Sequence, residues 1–353
     1  MGSRPRSSSG LGEIGMYRTM MLFSLLGVVF FVMQPTCGGE EPLTIVALDG
    51  VHQYFGDGDT RTVDVSVTFP PADASFSRIV LRYTLSCPAG GCDPWDRLAS
   101  LFIVENPGTE GEEPFEIGRF ITPYGVGGAF EVEVTELRPL LTGVRTLRSF
   151  VSTWVEPGWI VDVRFDFYPG VPDRHPVEVR QLWRAVVLYG DPAHPLSEQL
   201  PERLETIPEW ATGGELRVLA TGHGQGNTEN CAEFCAKEHL LAVDDATDRA
   251  VLWRDDCKRT AVKGQRGTWW LSRAGWCPGA AVIPRIWTID ALSPGADARF
   301  RYEVEPYENT CRPDHEPECT DCMSFVTSCD YNGGDHTPPI WQISALLILF
   351  GGA

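Results

Sequence analysis

Hydrophobic and polar residues alternate one for one along much of the chain. The segments 62–69 (TVDVSVTF), 130–134 (FEVEV) and 161–167 (VDVRFDF) show this period of two most clearly. A period of two places every second side chain on the same face of a β-strand, so these segments predict strands with one buried face. Clusters of Gly, Pro and Asp lie between the segments and predict the turns that join the strands.

The predicted strands fall into two sets. The first set is 43–48, 61–69, 78–85, 98–105, 115–121, 130–134, 146–154 and 159–168. The second set is 177–189, 215–220, 239–243, 250–254, 280–289, 299–304 and 340–350. A Pro- and Gly-rich segment, 168–176 (YPGVPDRHP), separates the sets and predicts a boundary. We therefore predict an all-β protein with two adjacent antiparallel jelly-roll β-sandwich domains, 40–170 and 176–353.

Three segments depart from the alternating pattern. The run 340–350 (IWQISALLILF) is apolar throughout, which is typical of a central strand buried on both faces. The segment 135–143 (TELRPLLTG) is the one place in the first set that could form a helical turn, and Pro139 limits its length. Residues 307–336 form an acidic, cysteine-rich insertion in the second domain with too few apolar residues for a core of its own.

The first 37 residues have the pattern of an export leader. The apolar segment 20–33 is about as long as the core of a signal peptide and short for a membrane span. A cysteine, Cys37, follows this segment and precedes Gly and acidic residues. We expect an exported protein that is secreted or held in the cell envelope, with Cys37 as a candidate site of lipid attachment.

The remaining ten cysteines form local groups that predict disulfides in an exported protein. The groups are Cys87 with Cys92, Cys231 with Cys235, Cys257 with Cys277, and finally Cys311, Cys319, Cys322 and Cys329. An alternative for the last group is a zinc knuckle that includes His315. Export and the acidic surroundings favour disulfides.

Charge and histidine spacing exclude several function classes. The net charge is −19, which would repel a phosphate backbone, so we expect no nucleic acid partner. The seven histidines show no close pair at ligand spacing, and the chain has no phosphate-binding glycine loop. We therefore expect no metal and no cofactor, and a monomer that binds a neutral ligand such as a sugar.

Four short blocks carry a resemblance to a known family. They are 87–97 (CPAGGCDPWDR), 116–128 (EIGRFITPYGVGG), 231–235 (CAEFC) and 272–286 (SRAGWCPGAAVIPRI). In order and spacing they resemble the peptide-N-glycosidase F family. The resemblance implies two jelly-roll domains and an amidase that cleaves the bond between an asparagine side chain and the first GlcNAc of an N-glycan. Its partners would be N-glycoproteins or N-glycopeptides, which would bind where the two domains meet.

The resemblance also implies roles for individual residues. Asp96 matches the principal catalytic carboxylate of the family, and Glu233 matches its second functional acid. The positions that match substrate-binding residues are Trp95, Arg97, Trp154, His223, Arg273 and Trp276. Hydrolysis of an amide needs an activated water and a proton for the leaving nitrogen, and two acids in different environments can divide these tasks. The two short cystine loops would hold Asp96 and Glu233 in fixed geometry.

The chain departs from the family pattern at Ser152 and Thr221. The family has a third acid at the position of Ser152 and an aromatic residue at the position of Thr221. Glu156 would return a carboxylate to the site only if the strand that contains Ser152 continued to it. These losses leave two alternatives to the enzyme: a glycan-binding protein of the same fold without catalysis, and a structural or adhesion lipoprotein.

Overall fold

The computed structural model describes residues 41–289, 292–312, 315, 323–324, 327–328 and 337–352. The predicted leader with Cys37, and the cysteines Cys319, Cys322 and Cys329, lie outside the described residues. In the described part of the chain, no helix has the length and apolar character needed to cross a membrane.

The first half of the chain forms two facing antiparallel sheets. Its strands are β1 (Leu43–Gln53), β2 (Thr62–Phe69), β3 (Phe76–Ser86), β4 (Leu98–Glu105), β5 (Glu113–Ile121), β6 (Gly128–Glu133), β7 (Gly143–Val151) and β8 (Trp159–Pro169). All eight predicted strands of the first set are present. One sheet has the order β1-β8-β3-β6, and the other contains β5-β4-β7-β2. The predicted helical turn is a 3-10 helix, Thr135–Leu140.

The second half forms another pair of sheets. Its strands are β9 (Pro176–Leu188), β10 (Arg203–Thr206), β11 (Ala211–His223), β12 (Lys237–Val243), β13 (Ala246–Leu252), β14 (Ala280–Ala281), β15 (Arg285–Ile289), β16 (Asp297–Val304), β17 (Met323–Ser324), β18 (Thr327–Ser328) and β19 (Ile340–Gly351). The sheets have the orders β15-β11-β19-β9 and β10-β16-β12-β13, and β17 pairs with β18. The helical elements of this half are α1 (Leu196–Gln199), α2 (Cys257–Thr260) and a 3-10 turn, Thr228–Asn230.

Strand β19 is the buried central strand that its apolar sequence predicts. It lies between β11 and β9. Side chains on one face, including Leu346 and Ile348, pack into the core of the first sandwich. Those on the other face, including Leu347 and Leu349, pack into the core of the second. Because the strand contacts apolar side chains on both faces, it needs no polar alternation.

Strand β14 departs from the predicted division of the chain. The sequence predicts one strand over 280–289, but the structure has two, and Pro284, which cannot donate a ladder hydrogen bond, lies between them. Strand β14 pairs with β5, so a strand from the second half completes a sheet of the first. Otherwise the first pair of sheets ends with β8 at Pro169, and the second begins with β9 at Pro176.

The arginine of a buried ion pair in β5 joins the two sandwiches. Arg119 of β5 binds Glu116 at 2.6 Å, and the side chains of both are at most 1% exposed. The Arg119 guanidinium also donates to Thr221 Oγ1 of β11 at 2.9 Å and to the carbonyl of Gln342 in β19 at 2.7 Å. The arginine of the EIGR block therefore connects one sheet of the first sandwich to two strands of the second.

We expect Arg119→Met to lower the free energy of unfolding by about 4 kcal/mol, because it leaves the Glu116 carboxylate buried without its partner. The double variant Glu116→Gln/Arg119→Met is expected to recover most of that loss, since no charge is then buried. Urea denaturation of the three proteins measures both effects. A double variant as unstable as the single one would contradict this account.

The three predicted local disulfides are present. They join Cys87 to Cys92, Cys231 to Cys235 and Cys257 to Cys277. Cys311 is also disulfide-bonded, in agreement with the favoured prediction for its group. Disulfides of this number are typical of a protein that folds in an oxidising compartment, as the export leader predicts.

Candidate active site

Loops from both sandwiches enclose a cavity of about 330 Å³. Its lining residues are Trp95, Asp96, Tyr124, His223, Gln225, Glu233, Gly267, Thr268, Arg273 and Trp276. Asp96 lies in the loop between β3 and β4, and Glu233 lies in the loop between β11 and β12. The two acids that the sequence singled out therefore line one cavity, although they belong to different halves of the chain.

Asp96 is held by a tyrosine. The hydroxyl of Tyr124 donates to Asp96 Oδ2 at 2.7 Å, and the nearest guanidinium nitrogen of Arg273 lies 3.9 Å from the same oxygen. Burial raises the pKa of the Asp96 carboxyl, and the Tyr124 hydrogen bond and the Arg273 charge oppose that rise. A carboxylate with a raised pKa is a stronger base toward water than an exposed aspartate.

Glu233 shares the guanidinium of Arg273 with Asp96. Arg273 Nε donates to Glu233 Oε1 at 2.9 Å, and the Arg273 side chain is 1% exposed. Burial raises the pKa of Glu233 to about 7; the charge of Arg273 opposes the rise and that of Asp96 adds to it. Near neutral pH, Glu233 therefore exists in both its protonated and ionised forms, which suits a group that exchanges a proton with a substrate.

Arg273 is itself fixed by its surroundings. It donates to the carbonyl oxygens of Thr268 and Leu271 at 3.0 and 3.1 Å and to Thr268 Oγ1 at 2.9 Å. Its guanidinium carbon lies 4.8 Å from the centre of the Trp276 ring and 5.1 Å from that of Phe234. The cation cannot swing away from the acids without breaking these contacts, so the position of the positive charge is built into the loop.

His223 and Trp276 form one wall of the cavity. Their rings stack with centroids 5.2 Å apart, and Trp276 Nε1 donates to the carbonyl of Gly222 at 2.7 Å. Burial, with the charges of Arg119 and Arg273, lowers the pKa of His223 to about 3. His223 is therefore neutral at physiological pH and accepts or donates a hydrogen bond without adding charge. Trp276 is only 3% exposed, whereas Trp95 is 57% exposed and presents an open ring face.

Asp93 organises the loop that carries Asp96. Its carboxylate is completely buried and accepts from the backbone N–H of Trp95 at 3.0 Å, Arg97 Nε at 2.9 Å and Thr153 Oγ1 at 2.6 Å. Arg97, which the sequence places beside Asp96, is thus turned to Asp93 and lies outside the cavity lining. Cys92 of the Cys87–Cys92 disulfide directly precedes Asp93, so the disulfide constrains the backbone that carries this buried carboxylate.

We expect Asp93→Ala to lower the free energy of unfolding by about 3 kcal/mol, because three donors lose one acceptor and Arg97 loses its buried partner. Trp95 and Asp96 would lose their fixed positions in the same change. Chemical denaturation measures the loss, with the exposed Asp245→Ala as the control. A loss below about 1 kcal/mol, the range of ordinary surface changes, would contradict this role.

Ser152 and Trp154 lie outside the cavity lining. The sequence predicts a strand to residue 154, but β7 ends at Val151. The backbone N–H of Ser152 still donates to the carbonyl of Leu98 in β4 at 2.8 Å, and the next side chain, Thr153, turns inward to Asp93, to which its Oγ1 donates at 2.6 Å. Trp154 is 56% exposed and stacks under the guanidinium of Arg61 at 4.2 Å. Because the strand has ended, the alternation argument for Glu156 fails, and its side chain lies against Gly56 instead.

Three residues that hold the candidate site in place were not predicted from the sequence: Asp93, Tyr124 and Gln265. Asp93 and Tyr124 lie inside the quoted blocks, so their position in the family pattern was a usable signal. Gln265 is 8% exposed, accepts from the backbone N–H of Tyr124 at 3.0 Å and donates to the carbonyl of Pro278 at 2.9 Å. It positions Tyr124, and nothing in the local sequence around Gln265 indicates that contact.

Comparisons with known proteins show which family the chain resembles. The family described as Peptide-N-glycosidase F, C terminal, matches residues 196–328. Peptide-N(4)-(N-acetyl-beta-D-glucosaminyl)asparagine amidase F of Elizabethkingia miricola is 32% identical over 288 residues, which cover 76% of this chain and 79% of that protein.

Solved structures give the same result. The structure of PNGase F, a glycosylasparaginase from Flavobacterium meningosepticum, superposes with a TM-score of 0.74 at 26% identity, over 89% of this chain and 97% of that one. The structure of PNGF-II superposes with a TM-score of 0.68 at 16% identity, over 89% of this chain and 66% of that one. At 16% identity, the likeness to PNGF-II shows the fold alone.

The two β-sandwiches and these relatives define the class, an all-β hydrolase, and the candidate site is the cavity lined from both sandwiches. Within this class, the chain belongs to the peptide-N-glycosidase F family.

Proposed function

We propose that this protein hydrolyses the amide bond between asparagine and GlcNAc in N-glycoproteins, which releases the glycan and converts the asparagine to aspartate. The observation that carries the proposal is the single cavity in which Asp96 and Glu233 share the Arg273 guanidinium. The amidase activity named for the Elizabethkingia relative supports the same reaction.

In the proposed mechanism, Asp96 activates the attacking water. Asp96 accepts the water proton as the oxygen adds to the carbonyl carbon of the asparagine side chain, and the Tyr124 hydroxyl holds the carboxylate in place. The carbonyl oxygen gains negative charge in this step. Arg273 is the fixed cation that lines the cavity between the two acids, so we assign it the stabilisation of that charge.

Glu233 completes the reaction in this scheme. The bond from carbon to nitrogen breaks, and the nitrogen takes a proton from protonated Glu233 to leave as a glycosylamine, which then loses ammonia in water. The raised pKa of Glu233, about 7, keeps a proton available for this step near neutral pH. The exposed ring of Trp95 is the proposed surface for the sugar next to the amide, since flat aromatic faces cover the apolar faces of sugars.

Mass spectrometry of one N-glycopeptide tests the function. After incubation in water labelled with heavy oxygen, we expect a free glycan and a peptide that carries a labelled aspartate in place of the glycosylated asparagine. Tight glycopeptide binding without turnover would instead favour the glycan-binding alternative, for which Ser152 and Thr221 are the reasons. No binding at all would favour the structural lipoprotein.

We also propose that the protein is exported, carries a lipid at Cys37 and acts as a monomer, with residues 40–170 and 176–353 as its domains. In this proposal Cys37→Ser is expected to move the protein from the membrane fraction to the soluble fraction of an expressing bacterium. Equal partitioning of the two proteins would exclude lipid attachment, and light scattering of the purified protein tests the oligomeric state.

A further inference from the structure

The segment between Cys257 and Cys277, here called the wall loop, forms one side of the active-site cavity. A disulfide joins its ends. Gly267, Thr268 and Arg273 of this loop line the cavity. The same loop exposes a group of side chains that the proposed reaction does not use: Lys258, Lys263, Arg266 and Trp270.

The charge of this group contrasts with that of the whole protein. The net charge is −19, and the chain has only three lysines, two of which are Lys258 and Lys263. Among the described residues, Lys258, Lys263 and Arg266 have no carboxylate partner, whereas the neighbouring Arg259 pairs with Asp256 at 3.5 Å. Three unneutralised cations within nine residues create a local positive potential on an acidic molecule.

The wall loop is held firmly beside the site. Lys263 Nζ donates to the carbonyl oxygens of Lys258 and Arg259 at 2.6 and 3.1 Å. The backbone N–H of Arg266 donates to the carbonyl of Tyr124 at 3.4 Å. The backbone at Arg266 is therefore tied to the tyrosine that holds the proposed catalytic aspartate. Trp270, 49% exposed, adds an apolar face to the same loop.

We propose that the wall loop binds Asp and Glu side chains of the peptide that flanks the glycosylated asparagine, so that acidic glycopeptides are the preferred substrates. This inference rests on the proposed function. Acidic side chains complement the unpaired cations, and the exposed Trp270 covers apolar atoms of the peptide. The peptide is favoured over the glycan because Arg266 directly precedes the cavity residue Gly267, whereas the sugars nearest the amide carry no charge and acidic sugars lie at the far ends of a glycan.

The test compares two N-glycopeptides that carry the same neutral glycan and differ only at the residues flanking the asparagine: Asp and Glu in one, Asn and Gln in the other. At low ionic strength we expect about tenfold higher kcat/KM for the acidic peptide, mainly through KM. The preference is expected to disappear in about 1 M salt, where screening reduces the Debye length to about 3 Å. Equal kcat/KM for the two peptides would overturn the proposal.

Two double variants separate the wall loop from the general charge of the protein. Lys258→Gln/Arg266→Gln is expected to remove the preference while the neutral peptide is cleaved as before. Arg184→Gln/Arg203→Gln removes the same amount of charge from two exposed residues on β9 and β10, outside the cavity lining. This control variant is expected to retain the preference for the acidic peptide. A preference that survives the first variant, or is lost in the second, would contradict the assignment, and thermal melting confirms that both variants fold.

Two further measurements distinguish binding of the glycan by the wall loop from failure of the proposed function. If a neutral peptide with an acid-capped glycan shows the same gain as the acidic peptide, the wall loop binds the glycan and the proposal is wrong. If the wild-type protein cleaves neither peptide, the proposed function fails. The wall loop is then tested by the affinity of the two glycopeptides for the folded protein, where we expect the acidic one to bind about tenfold more tightly.

Discussion

Asp96→Asn is expected to lower kcat for release of an N-glycan by about a thousandfold, while the protein remains folded. The amide of asparagine has the size of the carboxylate but cannot take a proton from water. The Tyr124 hydroxyl can still donate to the amide oxygen, as it donates to Asp96 Oδ2 at 2.7 Å in the wild type. The change therefore removes the proposed base and leaves the shape of the cavity.

Mass spectrometry of a glycopeptide digest measures the rate, and calorimetry measures the melting temperature. The control is Asp245→Asn, which makes the same chemical change at an exposed turn between β12 and β13. Undiminished release by Asp96→Asn would remove this residue from the mechanism. A lower rate together with a lower melting temperature would instead indicate that Asp96 acts through the fold.

Glu233→Gln is expected to stabilise the protein at about pH 8 by up to about 3 kcal/mol. The pKa of Glu233 is raised from 4.5 to about 7 in the folded protein. Below 4.5 the group is protonated in both the folded and unfolded states. Between 4.5 and 7 only the unfolded state loses the proton, so the free energy of unfolding falls as pH rises, and above 7 the full cost of the buried charge is present. Glutamine has no proton to lose and avoids that cost.

The same change is expected to lower kcat by about a hundredfold, because glutamine cannot supply the proton that the leaving nitrogen needs. In the wild type, kcat/KM is expected to fall as pH rises through about 7, where Glu233 loses its proton, and the variant is expected to lack this limb. Urea denaturation at acidic and alkaline pH, with a pH–rate profile, tests both effects. A variant less stable than the wild type under alkaline conditions would show that the ionised carboxylate stabilises the fold through Arg273.

The two effects together describe a site that costs stability. Folding places Glu233 and Asp96 around one arginine in a buried site, and burial is the main reason that the pKa of Glu233 is raised to about 7. Removing the charge stabilises the fold and removes the function, which is a common relation between stability and activity in enzymes.

The sequence by itself determined the strands and the local cystine loops. Alternation is a property of neighbouring residues, so the eight strands of the first sandwich could be predicted from the sequence. Strand β19 could be recognised as central because its sequence is apolar without alternation. The structure explains this pattern, since each face of β19 packs into a different core. The pairs Cys87–Cys92 and Cys231–Cys235 are close in sequence, and short separation alone indicated them.

The tertiary structure alone decided what each charged group binds. Arg97 turns to the buried Asp93, and Arg273 joins two acids that lie 137 positions apart in the sequence, at 96 and 233. Strand β14 crosses to a sheet of the other sandwich, and Pro284 indicates only a break before β15 and not which sheet β14 joins. These contacts depend on which loops meet at the same end of two packed sandwiches, and the raised pKa of Glu233 depends on the burial that results. Neither property is encoded in the period of a local segment.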